Sequence, residues 1–114
     1  MESDGGTFDP VGLLLISNNS ETQCTAYSAL QLLHSLNATH LGLTEYIGET
    51  DINIFVEKGV PGAHLNTVND KYFYFHHTHG DTVSVYEPEE LDNCTALWAA
   101  VSFVFADLSY MLPR

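Results

Sequence analysis

The strongest pattern in the chain is a run of apolar residues at helical spacing towards its C-terminal end. Seven residues recur at steps of three and four: Leu91, Cys94, Trp98, Val101, Phe105, Leu108 and Leu112. Pro88 suits a first helical turn, Glu89 and Glu90 favour the positive end of a helix, and Pro113 is expected to end it. The pattern predicts one continuous helix as far as Leu112, with Trp98, Val101 and Phe105 among its buried residues.

A second helix is predicted to begin at Ser20. The Ser20 hydroxyl can accept hydrogen bonds from the free amides of the first turn, while Gln23 reaches back from three residues further on. Apolar residues then follow on one face: Ala26, Leu30, Leu33 and Leu36. This helix should fray near Asn37.

The remaining elements are short. The apolar residues 13–16 predict a strand, and further strands or extended segments are expected at residues 43–47, 60–65 and 72–77. Asp51 can cap a short helix, which Gly59 would close. Short strands that alternate with amphipathic helices predict an α/β fold with a parallel or mixed sheet.

Composition and charge narrow the function. The 114 residues carry 15 acidic and 3 basic side chains, a net charge of −12, and are 45% hydrophobic. This is enough apolar material for one domain with a core, whereas the negative field disfavours nucleic acids and anionic membranes as partners. The longest apolar stretch, residues 96–106, is too short to cross a bilayer. The first residues lack the charged and apolar regions of a signal peptide.

The cysteines and the glycosylation motifs leave the cellular location open. Cys24 and Cys94 could form one disulfide or remain two buried thiols, and their spacing does not suggest a structural zinc site. Asn18, Asn37 and Asn93 each begin an N-x-[ST] motif, which points to the secretory pathway. We expect Asn93 to face outward on the last helix, with Glu89 and Asp92.

Three histidines within four positions are the clearest candidates for chemistry. His77 and His79 would share one face of a predicted strand and could bind a metal, with His76 beside them. Alternatively, residues 76–82 form an exposed polar junction, with a simple turn at residues 80–82. The isolated histidines His34, His40 and His64 are interpreted as structural or surface residues.

A second candidate is Asp4, which two glycines follow. A carboxylate where a strand gives way to a loop lies where α/β sheets place ligands. The alternative is an acidic N-terminal tag without a function. Asp51 is interpreted as a helix cap only.

In this order, the motifs resemble those of the co-catalytic di-zinc aminopeptidase and glutamate carboxypeptidase family. The resemblance is carried by residues 1–8 (Met-Glu-Ser-Asp-Gly-Gly-Thr-Phe), 48–53, 59–63, 72–82 and 98–114. It spans essentially the whole chain, but only about the last quarter of the family enzyme. It implies that residues 1–114 are the C-terminal portion of a three-layer α/β/α exopeptidase domain with a mostly parallel or mixed sheet, and that Met1 matches an internal methionine.

The resemblance also assigns residues to a metal centre. In the family, five side chains hold two zinc ions; Asp4 would ligate one zinc and His77 the other. His79 would be a neighbour, and Asp81 and Thr82 would shape the loop behind His77. The other ligands and the catalytic glutamate are expected upstream, so none of the residues here is the general base.

The implied function is that of a metallocarboxypeptidase or dipeptidase that hydrolyses small peptides with metal-activated water. The family implies a secreted or lysosomal protein, a signal peptide upstream of this segment, and a homodimer for the full-length enzyme. Since one ligand per zinc falls short of the roughly three that zinc needs, the isolated segment should be inactive. The alternative is a non-catalytic, acidic, glycosylated α/β module that only binds or packs.

Overall fold

A computed structural model describes residues 1–45, 48 and 50–114. It contains three strands: β1 (Pro10–Ile16), β2 (His40–Leu43) and β3 (Gly62–Thr67). The helices are α1 (Ser20–Gln31), α2 (Asn53–Val56), α3 (Tyr72–Phe75) and α4 (Pro88–Ala106). Two 3-10 turns, His34–Leu36 and Val83–Val85, complete the described elements. Within this part of the chain, none of the helices is long and apolar enough to span a bilayer.

The three strands form one mixed sheet in the order β2-β1-β3. β1 runs parallel to β2, from Gly12 opposite His40 to Leu15 opposite Leu43, and antiparallel to β3. This sheet, with its helices, confirms the predicted α/β class. The predicted strand at residues 43–47 shares only Leu43 with β2, and its residues 46 and 47 lie outside the described residues. β3 begins and ends two residues later than predicted.

The core lies between one face of β1 and the helices α1 and α4. Leu13 and Leu15 alternate along β1 and are buried, while Leu14 between them is half-buried. Residues of the helices cover them: Ala26, Leu30, Cys94, Leu97 and Val101. In α4 the central residue is Leu97, which is 0% exposed, whereas the predicted core residues Trp98 and Phe105 are partly buried at its edge.

α1 begins at Ser20, but its cap is the preceding residue. The side-chain oxygen of Asn19 accepts hydrogen bonds from the Glu21 and Thr22 amides, at 2.9 and 3.1 Å. Gln23 donates to the carbonyl of Ser17 at 2.8 Å and does not reach back to Ser20. The predicted Ser20 cap is therefore wrong by one residue, because Asn19 is the residue with extended backbone angles.

α4 ends at Ala106, so the prediction of a helix continuing to Leu112 is wrong. The following segment contacts α1: the Thr22 hydroxyl donates to the Pro113 carbonyl at 3.4 Å, and the Thr25 and Tyr110 hydroxyls lie 3.2 Å apart. A continued helix rises about 1.5 Å per residue along its axis. The chain instead turns at Asp107, which allows residues 107–114 to contact α1 and leaves Leu108 and Leu112 half-buried.

The aromatic segment predicted as a strand at residues 72–77 is also different. Residues Tyr72–Phe75 form a single helical turn. Tyr72 and Phe75, three residues apart, are half-buried, whereas Phe73 and Tyr74 are exposed. Aromatic residues favour strands where a neighbouring strand covers their side chains. Here the helical turn instead places Tyr72 and Phe75, three residues apart, on the same side.

The two cysteines are free thiols, so they do not form the disulfide that the sequence left open. Cys24 is exposed on α1 and Cys94 is buried in α4. The Cys94 thiol donates to the carbonyl of Phe8 at 3.1 Å. This contact links α4 to the segment that precedes β1.

Candidate metal centre

The segment that carries Asp4 lies alongside β3. The Glu2 amide donates to the Ala63 carbonyl at 3.0 Å, and the Leu65 amide donates to the Glu2 carbonyl at 3.4 Å, which makes a parallel bridge. Because the segment runs in the direction of β3, Asp4 follows this bridge towards the carboxyl end of that strand. Asp4 is exposed there.

The side chain of Glu2 provides the cap that was predicted from Asp51. Its carboxylate accepts hydrogen bonds from the Asp51 and Ile52 amides, at 3.2 and 3.0 Å, just before α2. Burial raises the pKa of Glu2, but these two bonds, with help from the Thr50 side chain and the charge of His64, lower it overall. The predicted Asp51 cap is therefore wrong, because the cap comes from 49 residues earlier in the sequence. Gly59 closes α2 as predicted, with φ of +80°.

His77 follows α3 in an uncommon backbone conformation. Its φ is +57°, in the left-handed region that few non-glycine residues occupy. The imidazole ring stacks on that of His76, with centroids 3.7 Å apart and planes at 24°. His76 in turn stacks on Tyr72 at 4.6 Å. The left-handed turn at His77 thus comes two residues after the end of the one-turn helix α3.

One cleft brings the two predicted zinc ligands together. Asp4 and His77, 73 positions apart in the sequence, both line a cleft of about 350 Å³. Asp81 lines the same cleft, whereas Thr82 and His79 are exposed and are not among the described residues that line it. The other lining residues are Ser3, Gly6, Thr7, Phe8, Tyr72, Phe75, His76 and Tyr86.

The hydroxyl of Tyr72 links the cleft to the Asp4 main chain. It donates to the Asp4 carbonyl at 3.2 Å. Burial raises the pKa of this phenol, and the negative charges of Asp4 and Asp81 add to the effect. No signal in the sequence pointed to this hydrogen bond between Tyr72 and Asp4, because the pattern predicted a strand where the structure has a helical turn.

His64 is a residue near the site that the sequence did not single out. His64 is half-buried and interacts with the charges of Asp4 and Glu2, and its Nδ1 atom has no hydrogen-bond partner among the described residues. Burial lowers the pKa of this imidazole, against the opposing effect of the Asp4 and Glu2 charges. The isolated position of His64 in the sequence carries no signal of this. His34 and His40 are exposed, as expected for surface residues.

The donor atoms suit zinc in type but not in number. Zinc binds carboxylate oxygen and imidazole nitrogen, and it needs about three protein ligands in a catalytic site. Among the described residues, no group of three or more His, Cys, Asp or Glu side chains is placed to hold a metal ion. Asp4 and His77 could therefore supply only part of the ligand set of a metal centre, and their roles as ligands remain predictions.

The predicted glycosylation sites differ in exposure. Asn18 and Asn37 are exposed, and Asn37 lies in a left-handed turn with φ of +54°. Asn93 is half-buried on α4, unlike the exposed Glu89 and Asp92, so it does not face fully outward as predicted. Glycosylation itself stays a prediction.

Comparison with known proteins identifies the class. Residues 3–102 match peptidase family M28, so the chain belongs to that family. The crystal structure of a peptidase M28 precursor from Shewanella amazonensis SB2B has the same fold, with a TM-score of 0.82 at 24% identity over 97% of this chain and 25% of that one.

The more specific similarity is to carboxypeptidase Q. The chain is 45% identical over 114 residues to carboxypeptidase Q of Homo sapiens and 44% identical to that of Xenopus laevis. The Mus musculus protein is 43% identical over 115 residues. All of this chain is matched in each case, but it spans only 24% of the length of these relatives. The resemblance that the motifs indicated is thereby confirmed.

Proposed function

We propose that residues 1–114 form the C-terminal portion of the catalytic domain of a zinc-dependent exopeptidase. The domain would have the three-layer α/β/α arrangement, and the enzyme would be a carboxypeptidase or dipeptidase acting on small peptides. The observation that carries the proposal is the shared cleft of Asp4 and His77. With these two residues the cleft offers one carboxylate and one imidazole, the two donor types that zinc takes besides thiolate, from the two motifs that the family resemblance assigns to the metal centre.

Within this site, Asp4 binds one of two zinc ions and His77 binds the other. The bound metal pair would polarise the scissile carbonyl and activate a water molecule. Asp81 and Thr82 shape the loop behind His77, and His79 is a neighbour that holds no metal. The general base and the other ligands belong to a part of the peptidase outside these residues.

The proposal extends to partners and location. Small peptides are the partners that the similarity to peptidases implies, and the net charge of −12 disfavours phosphate-bearing ligands. The exposed motifs at Asn18 and Asn37 support passage through the secretory pathway to a secreted or lysosomal destination. A homodimer is the assembly that the family implies for a full-length enzyme.

The 114-residue chain by itself should lack peptidase activity and bind zinc weakly. Each zinc would have one protein ligand here, where about three are needed. Isothermal titration with zinc and a dipeptide hydrolysis assay test this expectation. Submicromolar affinity that His77→Ala abolishes, or measurable turnover, would contradict it.

The ligand assignment is tested in a longer chain that includes the missing ligands. There His77→Ala should abolish both turnover and one equivalent of bound zinc, because a direct ligand is lost. His79→Ala is the matched control and should retain most of both. Equal losses in two folded variants, or normal activity in both, would refute the assignment. A folded, unmodified longer chain without turnover would favour the non-catalytic alternative.

A further inference from the structure

Tyr72 touches both segments that carry the proposed ligands. Its hydroxyl donates to the Asp4 carbonyl at 3.2 Å. Its ring stacks on His76 at 4.6 Å with planes at 28°, and His76 stacks on His77 at 3.7 Å. A continuous path of contacts therefore joins the main chain of Asp4 to the imidazole of His77.

We propose that Tyr72 is a positioning residue that holds the Asp4 segment and the His77 ring in a fixed relation across the cleft. The hydroxyl orients one side, and the ring orients the other through His76. Its importance for catalysis rests on the proposed function, but the link itself is a property of the metal-free chain.

The Asp4 side of the cleft needs such a contact. The main chain of Glu2 forms hydrogen bonds with β3. Phe8 is buried, and its carbonyl accepts a hydrogen bond from the Cys94 thiol. Between them, the bond from Tyr72 is the one hydrogen bond to the main chain of residues 3–7 among the described residues. This stretch includes Gly5 and Gly6, and glycine offers little conformational restraint of its own. Without the Tyr72 hydroxyl, packing contacts alone would restrain the main chain around Asp4 within the described residues.

The His77 side needs support for a different reason. Its left-handed backbone is unfavourable for a residue with a Cβ atom and persists only where the surroundings impose it. The ring is exposed, so few contacts other than the stack restrict it. The two imidazole rings face each other at 3.7 Å with planes at 24°, and this contact restricts the plane in which His77 presents its nitrogen atoms.

Two substitutions separate the roles of the hydroxyl and the ring. Tyr72→Phe removes the hydrogen bond to Asp4 but keeps the stack, whereas Tyr72→Leu removes both. Tyr74→Phe is the matched control, since Tyr74 lies on the same helical turn and is 77% exposed. His76→Ala interrupts the stack and leaves the Tyr72 hydroxyl in place.

The readouts are NMR measurements on the metal-free 114-residue chain. Backbone order parameters at Gly5 and Gly6 should fall from about 0.85 to below about 0.6 in Tyr72→Phe, with the melting temperature nearly unchanged. The side-chain order parameter of the His77 imidazole should be kept in Tyr72→Phe and fall in His76→Ala and in a folded Tyr72→Leu, because both of the latter interrupt the stack. Tyr74→Phe should alter neither signal.

The outcomes distinguish this proposal from the proposed function. Unchanged order parameters in Tyr72→Phe, or an equal change in Tyr74→Phe, would overturn the positioning role of the hydroxyl. A His77 imidazole that stays equally ordered in His76→Ala would overturn the role of the stack. Since metal is absent from these measurements, failure of the zinc assignment would not alter them. If Tyr72→Leu does not fold, Tyr72→Phe and His76→Ala still decide both halves.

Discussion

Replacing Gly12 by alanine should disrupt the pairing of β1 with β2. Gly12 has a φ of +148°, and a Cβ atom added there would lie 1.9 Å from the carbonyl oxygen of His40. The carbon and nitrogen of the same residue would be 2.8 and 2.9 Å away. These are backbone atoms of the paired strand, so no side-chain rotation can relieve the overlap.

Two costs add at this position. A non-glycine residue in such a backbone conformation costs about 1–3 kcal/mol. The overlap must in addition push β2 away, which breaks a pairing that runs from Gly12–His40 to Leu15–Leu43. We expect a loss of more than about 3 kcal/mol in the free energy of unfolding, a large part of the 5–15 kcal/mol that is typical of domains.

Gly59→Ala is the control that isolates the conformational cost. Gly59 also has a positive φ, of +80°, but the nearest atom to its added Cβ would be the Cβ of Arg114, at an ordinary 3.7 Å. This variant should lose only about 1–2 kcal/mol. Urea unfolding followed by circular dichroism measures both variants. If both fold and their losses agree within about 1 kcal/mol, the close approach of β1 and β2 at Gly12 is refuted.

Two further predictions concern α4. Leu97→Ala should lower the free energy of unfolding by about 2–5 kcal/mol, because the Leu97 side chain is 0% exposed. Phe103 lies on the same helix and is 69% exposed, so Phe103→Ala should change it by no more than about 0.5 kcal/mol. Equal losses by urea unfolding would contradict this packing. At pH 8 a thiol reagent should label Cys24 but reach Cys94 only in denaturant, since burial, aided by acidic neighbours, raises the Cys94 pKa from its ordinary 9.0 to about 11. The folded thiol therefore keeps its proton where the unfolded thiol ionises. The stabilisation that comes from this raised pKa is fully present below about pH 9 and is lost as the pH rises towards 11. Cys94→Ala should remove this pH dependence from the free energy of unfolding, which urea unfolding at a series of alkaline pH values measures.

Several features of this protein follow from local sequence. The spacing of Ala26 and Leu30 predicted a buried face on α1, and both residues are in the core. The apolar run that contains Leu13 and Leu15 predicted a strand, and these two residues of β1 are buried. Pro88 and the acidic residues after it marked the start of α4 correctly. These predictions succeeded because periodicity and helix-end chemistry act over a few residues. The order of the motifs also identified the family.

Other features depended on contacts between distant parts of the chain. The cap of α2 comes from Glu2, and α4 ends where the following segment turns to contact α1. The aromatic residues at 72–75 form a helical turn that places Tyr72 and Phe75 at the cleft, and the opposite side of that cleft comes from residues about 70 positions earlier.

The site shows the same division most clearly. Taken alone, Asp4 and His77 each had an ordinary alternative, as a tag or a polar junction, and it was the family resemblance that implied one metal centre for both. The tertiary structure adds that both line one cleft and that Tyr72 lies between their segments. The turn after α3 is local, but the pairing of the Glu2 segment with β3 and the hydrogen bond from Tyr72 to Asp4 join residues more than 60 positions apart. These long-range contacts set the relative position of the two ligand segments.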